Sequence, residues 1–208
     1  PMSLSFGNQL VGTSSSTQDV TINNTTGTAA LNWSAALSGA DAAQFTIVGS
    51  SADSIPAGGN TTVSVRFNPA SIGSKTTNLV VSGNDSANPS DTISLTGTGV
   101  APEIDIAPAS MDFGDQTQGV PSGLRTVTIR NTGNANLTLG TLLPGGTNSA
   151  DFAIVNDPSG ATIAPGASRQ LRVKFTPGAL GGRTAEISFT NNDADESPAM
   201  VALSGNGT

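Results

Sequence analysis

"LSFGNQLVG", Leu4 to Gly12, returns as "MDFGDQTQG", Met111 to Gly119. The Phe residues inside these stretches, Phe6 and Phe113, lie 107 positions apart (113 − 6). "VTINNT" (Val20 to Thr25) returns at the same spacing as "VTIRNT" (Val127 to Thr132), and "FTIV" (Phe45 to Val48) as "FAIV" (Phe152 to Val155). "VSVRFNP" (Val63 to Pro69) then matches "LRVKFTP" (Leu171 to Pro177) at an offset of 108 (175 − 67), so one residue has entered the loop between. "LTGTG" (Leu95 to Gly99) and "LSGNG" (Leu203 to Gly207) close two copies that fill the 208 residues. A repeat of this length is domain-sized. It predicts two domains, 1–100 and 101–208, joined through Gly99-Val100-Ala101-Pro102. So short a joint predicts a semi-rigid pair; small-angle scattering from two freely tumbling beads would contradict that.

Within each copy the apolar positions alternate. Val20/Ile22, Leu31/Trp33, Phe45/Ile47, Val63/Val65/Phe67, Leu79/Val81 and Ile93/Leu95 have counterparts Val127/Ile129, Leu137/Leu139, Phe152/Ile154, Leu171/Val173/Phe175, Ile187/Phe189 and Val201/Leu203. Period two marks strands with one buried and one wet face. Gly, Pro, Asn and Asp punctuate the runs, as at Pro56-Ala57-Gly58-Gly59, Asn84-Asp85, Pro165-Gly166 and Asn192-Asp193. About seven such strands per copy, without helical periodicity, predict an all-β fold: two tandem immunoglobulin-like sandwiches of antiparallel sheets. The second copy carries "EIDIAP" (Glu103 to Pro108) ahead of its Phe113, where the first has almost no chain. The first copy is therefore read as lacking its opening strand through truncation. Met2 behind Pro1 reads as a piece excised from a longer protein.

Composition removes much chemistry. The chain has no Cys and no His, hence no thiol nucleophile, imidazole base, disulfide or usual zinc or iron ligand set. Charged residues are 11% and the net charge is −7, which opposes nucleic acid and anionic membrane surfaces as partners. No apolar run approaches the roughly 18 to 20 residues that cross a bilayer. No membrane insertion by this segment is expected, and a leader or anchor, if there is one, lies outside it.

Several stretches imitate sites. "FNPASIGSKT" (Phe67 to Thr76) ends like a phosphate loop, but Pro69 and Ser74 stand where glycines are required and a strand pattern follows. The second copy has "FTPGALGGRT" there, with Arg183 opposite Lys75. Lys75 is read as a base at a Gly turn, pointing into solvent, and Ser71 or Ser74 beside it as no Ser–Lys nucleophile, which needs a buried amine. In "NNDADESP" (Asn191 to Pro198), Asp193, Asp195 and Glu196 offer oxygens that calcium accepts, yet Ser197-Pro198 breaks the EF-hand pattern. A solvated loop is expected; were calcium bound, a chelator would lower the melting temperature. Trp33 alternates with Leu31 and is read as core rather than as a sugar platform. Lys174, between Val173 and Phe175, is read as pointing outward and not forming an isopeptide crosslink, and the sequons at Asn24, Asn32, Asn60 and Asn136 as strand and turn chemistry. No catalytic, metal or cofactor residue is assigned.

The ordered set "LSFGNQLVG", "VTINNTTG", "IPAGGNTTVSVRFNP" and "ISLTGTG", with "EIDIAPASMDFG", "VTIRNTGNANLTL", "IAPGASRQLRVKFTP" and "LSGNG", resembles abnormal-spindle/hydin-type (ASH-like) repeats. Among bacterial sequences it is similar to the choice-of-anchor D repeats of exported and surface proteins. The resemblance spans the whole chain. It implies a sandwich related to major sperm protein, often in tandem, with no catalytic residues to carry over. The expected function is a non-catalytic spacer or protein-interaction module of a larger exported or cell-surface bacterial protein, extracellular or periplasmic. Its expected partners are the neighbouring domains, another protein or a glycan. Two alternatives stand beside it: a carbohydrate-binding accessory module of a secreted enzyme, and an intracellular scaffold of the ciliary or centrosomal type.

Overall fold

Alternating sequence becomes strands with one dry face. The computed structural model describes residues 2–208. The chain divides into two units, Pro1–Val100 and Ala101–Thr208, each closed around its own apolar core.

The first unit holds β1 (Ser3–Leu10), β2 (Gln18–Asn23), β3 (Leu31–Ser38), β4 (Phe45–Val48), β5 (Ala52–Ile55), β6 (Asn60–Phe67), β7 (Gly73–Gly83) and β8 (Ser90–Val100). They form a sheet ordered β1-β8-β7-β3-β5 and a second ordered β2-β6-β4. Val63, Val65 and Phe67 from β6 meet Leu79 from β7 and Leu95 from β8, all fully buried. Each such side chain contributes on the order of 1.5–3 kcal/mol by leaving water. Phe67 lies 4.8 Å from Phe45 and 6.1 Å from Phe6, ring centre to ring centre.

The second unit holds β9 (Ile104–Ala107), β10 (Ser110–Gln116), β11 (Arg125–Asn131), β12 (Leu137–Thr138), β13 (Leu143–Gly145), β14 (Phe152–Asn156), β15 (Thr162–Ile163), β16 (Ser168–Phe175), β17 (Gly181–Phe189) and β18 (Ala199–Gly207). Its two main sheets are ordered β10-β18-β17-β13 and β14-β16-β11-β9, with β12 and β15 as a small pair. Phe175 again sits between Phe152 and Phe113, at 4.7 and 5.6 Å.

The sandwiches are not purely antiparallel. β1 pairs with β8, and β10 with β18, in parallel. A parallel pair needs a long crossover; here the crossover is the rest of the unit, which no local turn signal can announce. Both pairs slip register just after the motif Phe, between Ser5 and Asn8 and between Asp112 and Asp115. Gly7 (φ +63°) and Gly114 (φ +65°) occupy the slips in the left-handed region that favours glycine. The repeated "FG" is thus a bulge that re-aims the strand after burying its Phe.

The residues of the short joint are taken up by strand pairing and hydrogen bonds, each within its own unit. Gly99 and Val100 end β8, opposite Gln9 and Leu10. Ala101 donates its N–H to Asn134 Oδ1 at 2.8 Å, and its carbonyl accepts from Asn134 and Ala135.

Candidate functional site

The strongest concentration of ionisable groups lies where β9 begins. The N–H of Ile104 donates to Asp193 Oδ2 at 2.8 Å, and Asp193 is only 3% exposed. Its own N–H donates to Asn191 Oδ1 at 2.8 Å, so the loop turns back on itself. Single carboxylate oxygens of Glu103, Asp193 and Asp195 lie within 4.8 Å of one another. The loop 191–198 is therefore not wholly solvated, as its polarity suggests; Asp193 is drawn inward to cap a strand amide. The trio also differs from Asp193, Asp195 and Glu196, the candidate that the sequence offered. Glu196 is exposed and takes part through its backbone carbonyl, which accepts from Asn191 Nδ2. Glu103, some 90 residues away in sequence, replaces it.

These carboxylates repel one another. The Asp193 charge, then burial, then Asp195 and Glu196 push the Glu103 carboxyl above its ordinary value. Burial pushes Asp193 up, aided by Asp195 and opposed by the Ile104 N–H. Groups that bind protons more readily folded than unfolded stabilise fully below the ordinary carboxylate range, and that stability is lost as pH rises through the folded values. Glu103→Gln is accordingly expected to raise the melting temperature of the second unit at pH 7. It should also shrink the gain on acidification from neutral into the carboxylate range. An unchanged pH dependence would contradict this. The three hard oxygens are a set that a calcium ion would accept.

The look-alike sites fall apart in different ways. Gly73 leads into the eleven-residue strand β7 and not into a helix, so no helix N-terminus faces a phosphate. Lys75 does not point into open solvent: it is half-buried on β7, and its Nζ donates to Ser71 Oγ at 2.9 Å. Ser71 is exposed, and a Ser–Lys nucleophile needs a desolvated amine. The reason for the difference lies across the unit. Arg183, the counterpart of Lys75, pairs through Nε with Asp151 Oδ2 at 2.6 Å, and Asp151 is buried. In the first unit Gln44 precedes Phe45 as Asp151 precedes Phe152, and Gln44 instead accepts the Ala70 N–H. Lys75 thus has no carboxylate there and turns to Ser71.

Trp33 is core, at 5% exposure, with Nε1 finding no acceptor among the described residues. Lys174 stands opposite Ala153 on β14, and the one ion pair among the described residues is Arg183–Asp151. At the Asn24 sequon the side chain is spent on the fold, donating to the carbonyls of Ala29, Ile55 and Pro56.

Some structural polar residues escaped the alternation pattern. Ser15 and Ser122 each accept, through Oγ, the N–H of the central Phe, Phe67 or Phe175, at 3.0 Å. Asn131 is wholly buried, its Nδ2 donating to Ala135 and Ile163 carbonyls and its Oδ1 accepting from Gly133. Both pairs recur at a spacing of 107 (122 − 15 and 131 − 24). The repeat itself was the signal that could have found them.

Two sandwiches of this kind, sharing buried Phe clusters and polar caps, define an immunoglobulin-like β-sandwich module. The model for the HYDIN/CFA65/VesB-like Ig-like domain matches residues 102–206, and that for the abnormal spindle-like (ASPM-SPD-2-Hydin, ASH) domain matches 1–90. The chain belongs to the HYDIN/CFA65/VesB-like Ig-like domain family, and its modules are of a non-catalytic, structural or interaction type.

Among solved structures, a protein of unknown function from Porphyromonas gingivalis W83 is similar at 17% identity, covering 95% of this chain and 93% of that one, with a TM-score of 0.43. The ASH/PapD-like domain 7 of human CEP192 is 15% identical over 50% of this chain and 84% of that one (TM-score 0.40). The VesB protease of Vibrio cholerae is 17% identical over 50% and 31% (TM-score 0.39). No curated protein matches the chain in sequence.

Proposed function

We propose that the chain is a spacer or protein-docking segment of a larger bacterial protein that is exported or carried on the cell surface, of the choice-of-anchor D kind. What carries this reading is the set of residues the two units hold in common. Phe6/Phe113, Phe45/Phe152 and Phe67/Phe175 are core, Ser15/Ser122 and Asn24/Asn131 tie down backbone, and Gly97/Gly205 lie against the central Phe. Side chains with chemistry to offer differ between the copies. Arg183 replaces Lys75, Ala179 replaces Ser71, and Asp195 and Glu196 stand where the first unit has Ala87 and Asn88. Repetition has kept a shape and let the reactive groups drift, as expected of a scaffold whose function sits at its flanks. With only two Lys and abundant Thr, Ser, Asn and Gly, the composition supports the exported setting.

Protease shaving of intact source cells is expected to digest this segment; full protection of it in the cytosol would overturn the exported setting. Replacing the 208 residues in the parent gene by an unrelated pair of immunoglobulin-like domains tests the role. A spacer predicts that the parent's surface function survives, and docking predicts that it is lost. Turnover of a substrate by the purified chain would overturn both.

A further inference from the structure

The two units differ at one edge. β11 is flanked by β16 on one side and β9 on the other, whereas its counterpart β2 has β6 alone. Beside β2 the first unit opens a slot of about 620 Å³, walled by Val20, Ile22, Leu31, Trp33 and Ile93, with Asp85 and Met2 also lining it. In the second unit β9 lies in the matching place, burying Ile104 to 5% exposure and packing Ile106 on the core. Burial follows the missing strand. Ile129, Asn131 and Leu137 are sealed at 0% exposure, while Ile22, Asn24 and Leu31 are half-buried.

Two details fix what would fit there. Met2 accepts the Ser94 N–H through its carbonyl at 3.2 Å, just as Ala109 accepts from Ala202 at 3.2 Å. Met2 is therefore the counterpart of Ala109, Pro1 in sequence the counterpart of Pro108 (108 − 107), and the β9 counterpart falls on the four positions directly ahead of Pro1. Asn84 and Asn192 likewise correspond, accepting the N–H of Asn32 and of Thr138. This makes Asp85 the counterpart of Asp193, the residue that holds the first amide of β9. Asp85 lines the slot, exposed, its carboxylate engaged by the Ala87 N–H alone among the described residues.

We propose that the free edge of β2 is a strand-binding slot whose occupant is the segment directly ahead of Pro1 in a longer chain. That segment runs antiparallel to β2, with apolar side chains at its first and third positions in the manner of Ile104 and Ile106. Asp85 takes the N–H of its first residue. Main-chain hydrogen bonds supply the affinity, and the alternate apolar pockets supply the register. An unpaired edge is a liability that a filled slot removes. The inference stands whether or not the protein is exported.

The test fuses Glu-Ile-Asp-Ile-Ala, copied from Glu103–Ala107, ahead of Pro1 of the full chain, with Glu-Asn-Asp-Asn-Ala as control. The apolar extension is expected to slow amide exchange in β2 by about tenfold or more and to raise the melting midpoint reported by Trp33, the one tryptophan. The control should do neither. Asp85→Ala should take back part of the gain in the extended chain and leave the unextended chain unchanged. Equal protection by the control, or no protection by either, would overturn the proposal. So would β2 protection in the unextended chain that grows with protein concentration, since a second copy would then be the occupant.

Discussion

Gly97→Ala is expected to destabilise the first unit by about 3 kcal/mol, the upper range for overpacking a well-filled core. A Cβ at this position would lie 2.6 Å from the ring of Phe67, which is fully buried and held between Phe45 and Phe6. The ring cannot retreat without moving its neighbours. In the second unit a Cβ at Gly205 meets Phe175 at 2.5 Å in the same way, so the "G-T-G" and "G-N-G" endings are read as clearance for a Phe. Phe67→Leu should relieve the clash. The double variant is expected to cost less than the sum of the two single ones. Urea unfolding followed by Trp33 fluorescence measures all three; strictly additive costs would show that the ring is not what Gly97 accommodates.

Asn131→Ala is expected to cost about 3 kcal/mol, because the carbonyls of Ala135 and Ile163 and the N–H of Gly133 lose their partner where water has no access. The same change at Asn24 should cost about 1 kcal/mol. Asn24 is half-buried and its neighbours Asn23 and Thr26 line the open slot, so water can replace its amide. A urea titration followed by NMR resolves the two units. Equal costs at both positions would contradict the view that β9 is what seals Asn131.

Much of the fold was legible because it is written twice. Val63, Val65 and Phe67 alternate inward, and Leu171, Val173 and Phe175 repeat the pattern, so a chance alternation was excluded within one sequence. What stayed hidden depends on contacts between residues far apart in the chain. The parallel pairing of β1 with β8 has no turn to signal it. The burial of Asp193 depends on an amide 89 positions earlier, at Ile104, and a loop of Asn, Asp and Glu gives no hint of that. Lys75 looked solvent-bound because nothing in its own neighbourhood shows that Gln44 stands where the second unit has Asp151. Of the acidic cluster, Asp193 and Asp195 were legible as neighbours. Glu103 was not, since only the pairing of β9 beside β11 brings it there.

Amide hydrogen exchange across the whole chain tests the central claim most directly: the chain is one sandwich built twice and left open at one edge. The slowest amides are expected in β6, β7 and β8 of the first unit and in β16, β17 and β18 of the second, with β2 exchanging about tenfold or more faster than β11. Protection of β2 equal to that of β11, or slow amides concentrated outside the repeated strands, would contradict it.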